Sequence, residues 1–147
     1  MSNDLPVPDI GIAAIWLLIS LNYWVGYKLE NKLEAPDERA LGASVIMGQL
    51  SSVITGSSVI LAGIGAFVAL ENRPIDGPEK YHILYAAVWA VVALGLAIFT
   101  MGILPPHAPK TNFVRLRSIG ILCSISLFFC LAAGVRFLFA VASILFS

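Results

Sequence analysis

The polar positions of this chain gather in short clusters, and the side chains between the clusters are almost wholly apolar. Charges stand at Asp4 and Asp9, in a run from Lys28 to Arg39, from Glu71 to Lys80, and at Lys110, Arg115 and Arg117; a lone Arg136 follows. Four apolar stretches lie between them, over about 10–27, 42–70, 81–104 and 118–146. The 18 residues between Asp9 and Lys28 make a helix of roughly 27 Å, enough to cross a hydrocarbon core of about 30 Å when flanking side chains reach outward. The second stretch has 29 residues and no charge, more than one upright crossing needs. Pro36 suits the first turn of the second helix, with Asp37 and Glu38 near its positive end. Asp76-Gly77-Pro78 breaks the chain before the third helix, and Pro105-Pro106 stops that helix at its far end. The expected fold is an all-α integral membrane protein. A single domain, 1–147, forms four transmembrane helices in an up-and-down bundle with the second helix central.

Within the second stretch the small residues keep their own period. Ser44, Gly48, Ser51, Thr55, Ser58, Ala62 and Gly65 recur at alternating intervals of 4 and 3, a heptad seam. Beside it run Gln49, Ser52, Gly56, Val59 and Gly63, while Ile46, Leu50, Val53, Ile60, Ile64 and Val68 occupy the opposite face. Small residues let helix backbones approach closely in lipid. The expectation is that the small-residue seam meets other helices and the aliphatic face meets acyl chains.

With 147 residues, 59% hydrophobic and 12% charged, the chain is too apolar for an ordinary soluble domain. Nine basic residues balance nine acidic ones, so no basic surface calls for nucleic acid. Lys28, Lys32, Arg39, Lys110, Arg115 and Arg117 follow the first and third stretches, against Arg73, Lys80 and Arg136 on the other side. This imbalance places loops 28–41 and 105–117 in the cytoplasm and both termini on the non-cytoplasmic side, as in a multi-pass protein of the plasma (inner) membrane. Tyr23, Trp24 and Tyr27 precede Lys28 as an aromatic belt would, and the acidic N-terminal segment lacks a signal peptide's basic start.

Candidate chemistry is sparse. Arg136 lies on a face with Ala132, Ala140 and Ser143, and a guanidinium in such a place needs a partner because its desolvation is costly. Glu71 and His82 fall at the same end of the bundle, so the three are expected to form a polar cluster at the membrane boundary. The 19 residues from Arg117 to Arg136 make roughly 28 Å of helix, and 137–147 is read as its tilted continuation. Cys123 and Cys130 are roughly 10 Å apart along one helix, too far for a disulfide. His82 and His107 fall on opposite sides and lack metal-ligand spacing, and Asn22 is expected to bond with Gln49. No catalytic residue, metal or cofactor is assigned. Ser44, Ser51, Thr55 and Ser58 would line a wet path only if several copies ringed an axis; otherwise such hydroxyls bond to their own backbone.

In length, number of spans and placement of its termini the chain resembles the membrane-associated glutathione and eicosanoid enzymes. Their Arg-x-x-x-Asn-x-x-Glu pattern reads Arg39-Ala-Leu-Gly-Ala43-Ser-Val-Ile46 here, without the Asn and Glu that contact glutathione, so the resemblance is one of shape and implies no activity. The functional expectation is an integral membrane subunit whose partners are the lipid bilayer and other transmembrane helices, from copies of itself or a larger complex. An oligomeric pore lined by the hydroxyl face and a small membrane enzyme are the alternatives.

Overall fold

The computed structural model describes residues 7–30, 36–70, 78–107 and 113–145, with side chains for 10–21, 43–70, 79–103 and 118–145. Its four helices are α1 (Val7–Glu30), α2 (Pro36–Leu70), α3 (Pro78–His107) and α4 (Phe113–Leu145). Pro36 and Pro78 each open a helix, where a missing N–H costs nothing because first-turn N–H groups have no intrahelical acceptor. α3 runs through Pro105 and Pro106 to His107 instead of stopping at 104; proline's φ is itself helical, and in the final turn only terminal bonds are lost. α4 starts five residues ahead of Ser118 and continues unbroken past Arg136 to Leu145.

Three segments, Ala43–Leu70, Glu79–Ile103 and Ser118–Leu145, are long and apolar enough to cross a membrane, while the described apolar part of α1, Ile10–Leu21, is shorter. This all-helical architecture is compatible with a multi-pass membrane protein. Contacts fix the helix directions. Ser126 on α4 reaches Ala93 on α3, and Arg136 reaches His82, so these helices are antiparallel. Cys123 pairs with Gln49 and Gly63 abuts Phe137, so α2 and α4 are parallel. Gly11 abuts Val135 while Ser20 and Ser124 line one groove, so α1 opposes α4. The order is therefore up, down, up, down.

The hub is α4, not α2. Among the described residues α4 touches all three other helices, α2 touches α3 and α4, and α1 touches α4 alone. The reason lies in α4's inner stripe. Ile119, Cys123, Ser126, Cys130, Ala133, Phe137 and Ala140 recur at intervals of 4 and 3, and all but half-buried Phe137 are buried. α3 answers with Ala86, Ala90, Ala93, Ala97 and Thr100 at the same intervals, each 0% exposed. Two seams of mostly small side chains allow the backbones to close in, with the shallow crossing that a 3.5-residue repeat favours. Lipid tails are as apolar as leucine, so this contact is held by dispersion and hydrogen bonds more than by escape from water.

α2 turns the other way from its sequence reading. Its inward seam is Ile46, Leu50, Val53, Ser57, Ile60, Ile64 and Phe67, in which Leu50, Val53, Ser57 and Ile64 are buried and the others half-buried. The aliphatic face assigned to lipid thus packs on α3 and α4, except Val68, which is exposed. Facing the small seams of α3 and α4, a third helix needs bulk to fill the space between them, and the branched side chains supply it.

Candidate functional site

α2's second seam, Ser44, Gly48, Ser51, Thr55, Ser58, Ala62 and Gly65, is exposed at every position. It is offset by two residues from the inward seam, about 200° around the helix. A Cβ built on Gly48 or Gly65 meets nothing within 4 Å, whereas one on Gly56 meets Cys130 Sγ at 3.2 Å and one on Gly63 meets the Phe137 ring at 3.1 Å. The hydroxyls on this side turn inward on their own helix. Thr55 donates to the Ser51 carbonyl at 3.0 Å and Ser58 to the Ile54 carbonyl at 2.8 Å, and neighbouring Ser52 donates to the Gly48 carbonyl at 3.0 Å. The result is a nearly apolar face on which the Thr55 and Ser58 hydroxyls are already bonded to their own helix. None of this chain's described helices covers it.

At the end of the bundle where α3 begins, the structure brings Arg136 and His82 together, with Arg136 Nη1 3.0 Å from His82 Nδ1. Arginine has no acceptor, so it donates, and His82 must present an unprotonated Nδ1 with its proton on Nε2. The guanidinium carbon lies 5.6 Å from the Trp89 ring centre, within cation–π range. His82 meets Phe139 edge to face at 5.1 Å. Glu71, the third expected member, lies outside the described residues, as do Pro36–Gly42 and 104–117 side chains such as Arg39, His107 and Arg115. Among the described residues no three His, Cys, Asp or Glu side chains gather as a metal site.

The interior holds further polar groups. Ser126 Oγ donates 2.8 Å across to the Ala93 carbonyl, tying α4 to α3, and Thr100 donates to its own Leu96 carbonyl at 2.6 Å. Ser57 Oγ is fully buried on α2's inward seam and has no hydrogen-bond partner among the described residues. Its ordinary acceptor four residues back, the Val53 carbonyl, faces Cys130 Sγ at 3.9 Å. Gln49, expected to bond with Asn22, accepts from Cys123 Sγ at 3.5 Å, and the Asn22 side chain lies outside the described residues. Cys123 and Cys130 are free thiols packed in the core.

A third feature was not legible in the pattern: an apolar groove of about 530 Å³ between α1 and α4. Trp16, Ile19 and Ser20 line one side and Ile121, Ser124, Ile125, Phe128 and Phe129 the other. It exists because, among the described residues, α1 rests on a single neighbour and none of its side chains is fully buried. Compared with protein families, curated proteins and solved structures, the chain matches none.

Proposed function

We propose that this chain is an integral membrane subunit that acts by assembling, through the outer face of α2, with a transmembrane helix of another copy or of a larger complex. In this reading α1 is the fourth span, both termini lie on the non-cytoplasmic side, and loops 28–41 and 105–117 face the cytoplasm of a plasma (inner) membrane. The supporting observation is a contrast inside one molecule. Small side chains at heptad spacing on α3 are covered to 0% exposure by α2 and α4, yet the seam at the same spacing on α2 is open along its length. Dispersion between close backbones is what favours helix contact in lipid, and this face offers no charge that would oppose it. The inward-bonded hydroxyls of Thr55 and Ser58 favour a dry contact over a water-filled path. Native mass spectrometry after extraction in mild detergent tests the reading. A homo-oligomer or a stoichiometric co-purifying membrane protein is expected; a lone, folded monomer that also stays monomeric in lipid nanodiscs refutes it.

A further inference from the structure

Arg136 and His82 meet on a condition that their chemistry sets. Arg136 Nη1 lies 3.0 Å from His82 Nδ1, and a guanidinium holds donors only. The imidazole must therefore offer a lone pair at Nδ1, which an imidazolium lacks. This holds whatever else the two side chains touch. A second ring proton would set two N–H donors face to face, and one member of the pair must then turn away. From this geometry we propose that the Arg136–His82 contact is a proton-operated latch between α3 and α4, closed over a neutral imidazole and released when His82 takes up a proton.

The surroundings suit that role. Both side chains are half-buried, and Lys80 and Tyr81 just before the histidine are exposed, so water at this end of the bundle can deliver the proton. The ring cannot turn without consequence. Phe139 meets it edge to face at 5.1 Å, and the next residue, Ile83, is buried with Ala86 against Ile64 of α2 and Ala140 of α4. The guanidinium carbon in turn lies 5.6 Å from the Trp89 ring centre. Release therefore reaches both the end of the α3–α4 seam and the environment of Trp89. Among the described side chains, Arg136 is the charged group that α4 turns to His82, and α3 itself carries Glu79, Lys80, Tyr81 and Tyr85 nearby. Residues 65–70 of α2 and 10–21 of α1 bring no titratable group. Asp9 and Glu71, acids that the sequence sets toward this end, have side chains outside the described residues, so the test separates a carboxylate's titration from that of His82.

The test uses the whole chain in lipid nanodiscs. His107→Gln, Trp16→Phe and Trp24→Phe leave His82 as the one histidine and Trp89 as the one tryptophan. At pH 8, nitrogen NMR of the labelled ring shows a bare Nδ1 and a protonated Nε2. Between pH 8 and pH 4 the ring gains one proton at Nδ1, and Trp89 emission shifts reversibly over the same interval. His82→Gln supplies an acceptor that does not titrate, and its emission stays at the pH 8 position throughout. A proton on Nδ1 at pH 8, a ring still neutral at pH 4, or a Trp89 emission that stays put while the ring titrates overturns the latch; all three are read with His82 intact. A Trp89 shift of equal size in His82→Gln assigns the response to a carboxylate and overturns it as well.

Discussion

Replacing Gly48 and Gly65 together by leucine separates an isolated chain from an assembled one. In the chain by itself both positions are open to 4 Å, so neither leucine meets an obstacle. Removing a glycine from a helix interior stabilises it by roughly 0.5–1 kcal/mol. The isolated fold should therefore keep or slightly raise its thermal midpoint. A helix packed on the seam changes the sign, because each leucine must enter a space sized for hydrogen. Overpacking costs about 1–3 kcal/mol per site. Two sites on each chain of a two-fold pair place four such clashes in one interface, about 4–12 kcal/mol in all; a different partner meets only two, about half of that. Even the lower bound for the pair weakens association by roughly a thousandfold. Dilution-dependent energy transfer between labelled chains in vesicles reads this directly, and circular dichroism on the same samples checks the fold. Unchanged association with an intact fold would show that the seam faces lipid and that the assembly reading is wrong.

Two buried serines should respond to alanine with opposite signs. Ser126→Ala loses the bond to the Ala93 carbonyl and should cost about 1 kcal/mol, whereas Ser57→Ala removes a buried hydroxyl with no partner among the described residues and should gain about 1 kcal/mol; thermal unfolding in one detergent compares them. Gly56→Ala drives a methyl toward Cys130 Sγ at 3.2 Å and should destabilise by about 1–3 kcal/mol, less in a Cys130→Ala background, so a double-mutant cycle with zero coupling contradicts the contact. His82→Phe removes the acceptor facing Arg136 and should cost about 1–3 kcal/mol, while His82→Gln, which restores an acceptor, should recover part of it; equal loss in both variants would argue that the pair contributes nothing.

What could be read from the sequence follows from where the solvent changes character. Pro36 and Pro78 open helices as turn chemistry implies, and the pairing of Arg136 with His82 follows from their common level in neighbouring antiparallel helices. The facing of α2 could not be read this way. In water, polarity tells a helix which side is out; in lipid both sides are apolar, so hydropathy is silent and shape complementarity decides. α2 carries two heptad seams two residues apart, one small and one branched, and the choice between them depends on what α3 and α4 already present. The Ala86, Ala90, Ala93, Ala97 and Thr100 ladder on α3 was the available clue. Once that seam is seen to be small, the branched side of α2 is the one that fits. The groove between α1 and α4 depends on a gap between elements far apart in sequence, which no local pattern records.

Among the described residues α1 is joined to α4 alone, so the earliest of these four helices to be synthesised is held by the fourth. Phe113 is made 83 residues after Glu30, a delay of roughly 4–17 s at ordinary rates of translation. For that interval α1 must stand without its one neighbour among the described residues while α2 and α3 can already pair, and the bundle closes only when α4 joins them. A truncation within α4 would therefore release α1, three helices away along the chain.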